Sequence, residues 1–192
     1  MSIAITDDHR SLAETVSSFA VKRNLRGAAR DLLDSSDDAL PEFWSEFAEL
    51  GWLGLHLPED VGGSGYGIDE LVIVVEELAR AVAPGPFVPT VIASAVVAAT
   101  ADDDLRSRLL PGLADGSTVG AVALGGSVTI TGATASGDVG VVLGVGLADL
   151  ILVPVGDDIA IVEVGTGVTI DSPMRRSRWS LEGVACSSIS PG

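Results

Sequence analysis

Cysteine is almost missing from the 192-residue chain: Cys186 stands alone, so no disulfide can close within it. Histidine is nearly as scarce. His9 and His56 cannot, with Cys186, form a Cys/His zinc set unless carboxylates or a second chain join them, which excludes a structural zinc as the organising feature. Lysine occurs once, at Lys22, and 11 basic side chains face 27 acidic ones for a formal net charge of −16. Such a chain repels nucleic-acid phosphates and anionic lipid surfaces, so neither is an expected partner. The first ten residues carry Asp7 and Asp8 and lack the basic-then-apolar order of a signal peptide, which makes the cytoplasm the expected compartment. Only residues 139–155 have membrane-like hydropathy. They are short for a span and include Gly140, Gly144, Gly146, Asp149 and Pro154, and a central carboxylate would cost about 2.5–3.5 kcal/mol in a bilayer. Buried strands account for them better.

What is present is a folded composition that changes character near Gly116. Of the residues, 47% are apolar and 20% charged, and a chain of this length hides roughly 70% of its unfolded surface, enough for a full core. Up to Gly116 there are 8 basic and 20 acidic residues, and beyond it 3 and 7, with 13 of the 23 glycines. The expected architecture is α+β: a helical unit over residues 1–116, then a small antiparallel β unit over residues 117–192.

In the first unit, Leu12, Val16, Phe19 and Ala20 recur at helical spacing behind an acidic start, and a second helix is expected over residues 25–33. A third begins with Pro41 in its first turn, sets Phe43, Phe47 and Leu50 on one side and stops at Gly51. Residues 68–82 predict a central helix with Leu71, Val75, Leu78 and Val82 on one stripe and Val72 and Ala79 beside it. Pro84, Pro86 and Pro89 are expected to break the chain, and residues 91–99 read as a buried helix, apolar all round. A short helix over residues 102–110 opens on three aspartates and closes before Pro111. Strands are predicted over residues 119–124, 127–131, 139–143, 150–155, 159–164, 168–171 and 179–189, the last offering Leu181, Val184 and Cys186 to the core.

The run Glu49-Leu50-Gly51-Trp52-Leu53-Gly54-Leu55-His56-Leu57-Pro58-Glu59-Asp60-Val61-Gly62-Gly63-Ser64-Gly65 resembles the N-terminal signature of the acyl-CoA dehydrogenases, as does Glu76-Glu77-Leu78-Ala79-Arg80. The order of helical unit, proline break, Leu110-Pro111 and the strand Gly120-Ala121-Val122-Ala123-Leu124 is similar too. So are Leu147-Ala148-Asp149-Leu150 and the stretch from Met174 to Val184. In that family FAD takes hydride from the β carbon of an acyl-CoA while a glutamate of a C-terminal helical bundle takes the α proton. The resemblance assigns no catalytic residue here, because the sequence contains nothing that matches that bundle. It places FAD near Leu124, Gly125 and Gly126, where the family continues as Thr-Glu-Pro and this chain reads Gly-Gly-Ser. It places Glu76 and Glu77 at the base of the acyl pocket.

The incomplete flavin motif resembles the degenerate half found in some actinobacterial acyl-CoA dehydrogenases that act on bulky substrates such as steroid side chains. Two functions follow: a shortened enzyme, or a non-catalytic companion that stabilises a flavin-bearing partner. An unrelated helical interaction module is a third. Hetero-association is expected first and a homodimer second, since the helices at 68–82 and 91–99 have few coverings in the chain.

Other features have plainer readings beside the chemical ones. Adjacent glutamates on a helix point about 100° apart, so Glu76 and Glu77 cannot act together on one atom, and a solvated and a paired role is the alternative. Gly62 to Gly65 lacks the Gly-Lys-Ser/Thr ending of a phosphate loop and reads as a tight turn. Gly144-Val145-Gly146 lacks the third glycine and the helix of a dinucleotide fingerprint. His56 reads as a packed loop residue, Cys186 as inert filling, and Asp102 to Asp104 as complements of a helix dipole.

Overall fold

A computed structural model describes residues 5–34, 39–131, 134–164, 168–171 and 178–189, with the backbone alone for residues 34, 168–171 and 178–189. Helix α1 (Asp7–Lys22) starts where Thr6 caps it: the Thr6 hydroxyl accepts the His9 N–H at 3.1 Å, and His9 Nδ1 accepts the Thr6 N–H at 3.3 Å. It buries Val16, Phe19 and Ala20, as its spacing predicts. Helix α2 (Leu25–Asp34) follows, then α3 (Trp44–Glu49), entered through a turn in which the Pro41 carbonyl accepts the Trp44 N–H. Phe43 and Phe47 are buried as expected. Leu50 is exposed, because the helix has ended before it and Gly51 turns the chain at φ +70°.

Helix α4 (Ile68–Arg80) buries Leu71, Val74 and Leu78. The expected stripe through Val75 and Val82 is wrong by one position. Val82 lies beyond the helix end at φ +55° and is 56% exposed, and Val72 and Ala79 face outward, so α4 is not central. Helix α5 (Phe87–Thr100) contains Pro89 as its third residue, where a missing N–H costs no helical bond, so this proline opens a helix and does not break one. Its inner face buries Phe87, Val91, Ser94 and Val97, while Val88 and Ile92 are exposed; the helix is not buried all round. Helix α6 (Asp103–Ala114) runs through Pro111 where a stop was expected. The Asp102 carboxylate caps its start, accepting the Leu105 N–H at 2.8 Å, and buried Leu109, Leu110 and Leu113 outweigh the one bond the proline forfeits.

Among the described residues seven strands follow: β1 (Gly120–Ala123), β2 (Ser127–Thr131), β3 (Thr134–Leu143), β4 (Leu150–Val155), β5 (Asp158–Glu163), β6 (Val168–Asp171) and β7 (Arg178–Ile189). Their order is β2-β3-β1-β4-β5-β7-β6, and β3 also pairs with β7, so the sheet curls back on itself. Every pairing is antiparallel except β1 with β4, which is parallel; a wholly antiparallel sheet was expected. The chain leaves β1, folds the β2–β3 hairpin against one edge and returns through a turn at Val145–Leu147 to the other edge, which forces the parallel register. Leu181, Val184 and Cys186, and the stretch 172–177, lie outside the described side chains.

All four phenylalanines meet Trp44 and Trp52 in one core, with Phe47 in ring contact with Phe19, Phe43, Trp44, Trp52 and Phe87. A second core joins α5 and α6 to β4 and β5 through Ala93, Val97, Leu110, Leu113, Leu150, Leu152 and Ile161. Trp44 Nε1 donates to the Gly116 carbonyl at 2.9 Å, where the sequence changes character. Gly116 has φ +72°, and a Cβ there would sit 2.7 Å from Leu53 Cδ1, so the join admits only glycine without rearrangement.

Candidate functional site

The start of β1 is held from two sides. Thr90, fully buried on α5, accepts the Gly120 N–H at 3.3 Å, and Asp149 accepts the Val119 N–H at 2.8 Å. Neither residue stands out in the sequence; a polar residue in an apolar helix is the mark that Thr90 carries. Past Ala123, the Leu124 N–H donates to the Val141 carbonyl at 3.0 Å, and Gly126 lies so close to β3 that a Cβ would fall 2.4 Å from the Asp138 carbonyl oxygen. Over Gly125 the space is open, with nothing within 4 Å of an added Cβ. Leu124 is 65% exposed, and Val141 and Leu143 of β3 are exposed beside it.

The polar edge of a flavin ring calls for hydrogen-bond donors, and here the Leu124 N–H is already taken by Val141, while the side chains of Leu124, Val141 and Leu143 are aliphatic. Leu124, Gly125 and Gly126 offer apolar contact and the open backbone of Gly125, and do not amount to a complete flavin site.

Glu76 and Glu77 sit on α4 with Arg80. Arg80 Nη2 donates to Glu76 at 2.5 Å, and Arg80 Nε stands 3.7 Å from Glu77; both carboxylates raise the affinity of the guanidinium for its proton. Glu76 is exposed, and Glu77 is turned toward a cavity it shares with Ser17, Asn24 and Arg26. The pair is on different elements from Leu124 to Gly126. Between the outer faces of α4 and α5 lies an open groove of about 540 Å³ lined by aliphatic side chains of both helices and by Ile159 of β5.

The loop before α4 is a turn, as read. Gly63 donates to the Pro58 carbonyl, Ser64 to Gly54 and Gly65 to Leu57, so its amides are spent inward and do not cradle an anion. Gly144 at φ +76° packs on Pro89 and leads into a single 3₁₀ turn at Val145–Leu147, which is followed by β4 and not by an α-helix. His56 is the loop's polar side chain turned inward. Ser94 Oγ donates to the Val91 carbonyl at 3.1 Å, so at 3.1 Å from His56 it accepts the Nε2–H, and this fixes the neutral tautomer. His56 Nδ1 is buried with no partner among the described residues, and burial lowers the pKa of the ring. At the other end of the loop, Glu70 accepts the Gly67 N–H and pairs with His9 at 3.1 Å, which together hold its carboxyl below the usual range.

Residues 6–117 match the family model for the acyl-CoA dehydrogenase N-terminal domain, more than half of the chain. The chain belongs to the acyl-CoA dehydrogenase family. It is similar to acyl-CoA dehydrogenase FadE34 of Mycobacterium tuberculosis, 33% identical over 94% of this chain and 26% of FadE34. Among solved structures, 98% of the chain superposes on a steroid acyl-CoA dehydrogenase, the Tcur3481-Tcur3483 G363A variant, with TM-score 0.83, 25% identity and 58% of that chain covered. The ChsE4-ChsE5 complex of M. tuberculosis shares the fold at TM-score 0.83 and 23% identity, with all of this chain and 59% of that one covered. The chain therefore spans about a quarter of that curated relative and under two thirds of these solved structures. FAD is the cofactor of the family, as in the Bacillus anthracis acyl-CoA dehydrogenase complexed with it. No described helix is long and apolar enough to cross a membrane.

Proposed function

We propose that this chain is one part of a flavin-dependent dehydrogenase assembly that introduces an α,β double bond into an acyl-CoA thioester, in lipid or steroid side-chain breakdown in the cytoplasm. Within it the chain is the companion half, stabilising a flavin-bearing partner and not turning over alone. The observation that carries this reading is the end of β1, where Leu124, Val141 and Leu143 present an aliphatic face. Leu124, Gly125 and Gly126 approach the flavin as wall, and the partner supplies its polar contacts. Glu76 and Glu77 mark the acyl end, residues 1–116 form the helical unit and residues 117–192 the β unit. The steroid acyl-CoA dehydrogenase that shares the fold supports the substrate class.

A shortened enzyme that holds its own FAD is the second reading, favoured by the open backbone at Gly125. The absorbance spectrum separates the two. Purified protein that stays colourless with added FAD supports the companion, whereas flavin bands near one per chain support the enzyme. General-base catalysis alone is worth about 10²–10⁴ in rate, so without a base the isolated chain shows no acyl-CoA-dependent reduction of an artificial acceptor, with or without FAD. Steady turnover would refute the companion role.

A further inference from the structure

We infer that β2 pairs edge to edge with β2 of a second copy of this chain, antiparallel, with a two-fold axis at Thr129. The inference goes beyond the companion reading and holds whether or not the chain carries FAD. Among the described residues β2 is bonded on one side only, to β3, so the backbone N–H and C=O groups of its other side have no strand partner. Proteins blunt such an edge with a lysine, a proline or a bulge. None is present in β2, which reads Ser-Val-Thr-Ile-Thr and keeps its register with β3 through five consecutive pairs without a shift. Its neighbour β3, by contrast, shifts twice against β7. An unblunted edge of mostly β-branched residues is a template for one more strand.

Side-chain pattern and charge select a second copy as the occupant. Ser127, Thr129 and Thr131 are exposed, while Val128 and Ile130 lie against the core of the β unit without being fully buried. Antiparallel pairing centred on Thr129 sets Ser127 against the partner's Thr131, Val128 against the partner's Ile130, and Thr129 against the partner's Thr129. Hydroxyl meets hydroxyl and aliphatic meets aliphatic, pairs that stabilise neighbouring strands, and the added strand covers what Val128 and Ile130 leave open. The edge is thus self-complementary, as a two-fold contact requires. Charge does not oppose it. No charged residue occurs between Asp115 and Asp138, and 20 of the 27 acidic residues lie before Gly116. Asp138, the charged residue that β3 sets opposite β2, faces Ser127 at one end, and its carboxylate accepts the Gly140 N–H at 2.7 Å. The two-fold axis places the two copies of it at opposite ends. Five residues span about 17 Å, small beside the roughly 800 Å² per partner of a stable interface, so the pairing is reversible and concentration-dependent.

The test is sedimentation velocity of the full chain over a concentration series reaching about 1 mM, where weak pairs are populated. A reversible monomer–dimer equilibrium is expected, weakened about tenfold or more in Thr129→Lys and in Thr129→Glu, each of which sets like charges against each other across the axis. Ser18→Lys, at an exposed position of α1, is the control. Both lysine variants lower the net negative charge by one, so long-range repulsion falls in each and a loss confined to Thr129→Lys is local. An equal mixture of Thr129→Lys and Thr129→Glu is expected to recover the dimer, because the axis then brings opposite charges face to face. Circular dichroism checks that the edge variants keep the fold. A monomer throughout the series, a dimer that Thr129→Lys leaves intact, equal weakening by Ser18→Lys, or a mixture that fails to associate would each overturn the inference. So would a dimer that Val72→Asp dissolves and Thr129→Lys does not, which would put the contact on α4.

Discussion

The inner and outer faces of α4 and α5 are made of nearly the same residue types and meet opposite fates. Inward, Leu71, Val74, Leu78, Phe87 and Val91 join a core whose hub is Phe47, with no exposed surface. Outward, Ile68, Val72, Val88 and Ile92 stand open. Apolarity records that a surface is to be removed from water, and it does not record whether this chain or another removes it. The inner face stabilises the folded chain, and the outer face contributes only when something covers it.

The largest effect that could break this comparison comes from one substitution on each side. Phe47→Ala deletes a ring in contact with five other aromatic side chains and is expected to cost about 3–5 kcal/mol in urea denaturation. Val72→Ala, at a position 54% exposed, is expected to stay within about 0.5 kcal/mol in the isolated chain. Comparable losses at both positions would mean that the outer face is already covered in solution, as in a homodimer.

The strands and the inner core were legible because both follow from local pattern. Short apolar runs bounded by glycine located the seven strands among the described residues, although β3 starts at Thr134 and the run marked only residues 139–143 of it, and the spacing of Val16, Phe19, Phe43 and Phe47 marked the aromatic core. The errors have a common cause. Residues 68–82 read as a central helix and residues 91–99 as buried all round because Val72, Val82 and Ile92 are as apolar as their buried neighbours, and periodicity cannot separate a core from an interface. Pro89 and Pro111 were read as stops because a local rule was applied where position in the helix and tertiary packing decide. The parallel β1–β4 pair depends on how the chain returns after the β2–β3 hairpin, which no single strand encodes. The site was legible only through the family motif, and Thr90 and Asp149, which hold the start of β1, and Ser94, which holds His56, left no pattern beyond single polar residues among apolar ones.

The inner side of α5 can be sharpened by pH. His56 is tied to buried Ser94 as a neutral ring, and burial holds its pKa below the ordinary 6.5. A histidine depressed on folding contributes stability above its unfolded pKa, and that contribution is lost as pH falls below 6.5 toward the folded value. The urea midpoint of the unaltered chain is therefore expected to fall between pH 7.5 and pH 5.5 more steeply than that of His56→Gln. Parallel slopes would mean that the ring is free to protonate in the folded chain, and that the contact with Ser94 does not hold the loop to α5. Ser94→Ala, which leaves the Nε2–H without an acceptor, is expected to cost about 1–3 kcal/mol at pH 7.5.

The smallest effect concerns the seam between the two faces, where α4 ends. Val82 holds φ +55°, a left-handed conformation that a β-branched residue adopts at a cost of about 1–2 kcal/mol, and its side chain gains little in return because it is 56% exposed. The geometry is imposed by hydrogen bonds on either side: the Val82 N–H donates to the Ala79 carbonyl at 3.0 Å, and the Ala83 N–H donates to the Leu78 carbonyl at 2.9 Å, closing the helix before Pro84. Glycine adopts this conformation without the clash at Cβ, although its unfolded chain is freer. Val82→Gly is therefore expected to stabilise the isolated chain by about 0.5–1 kcal/mol, less than the relief of strain alone. A loss of stability instead would show that the Val82 side chain is packed in solution, and would extend the covered surface past the end of α4.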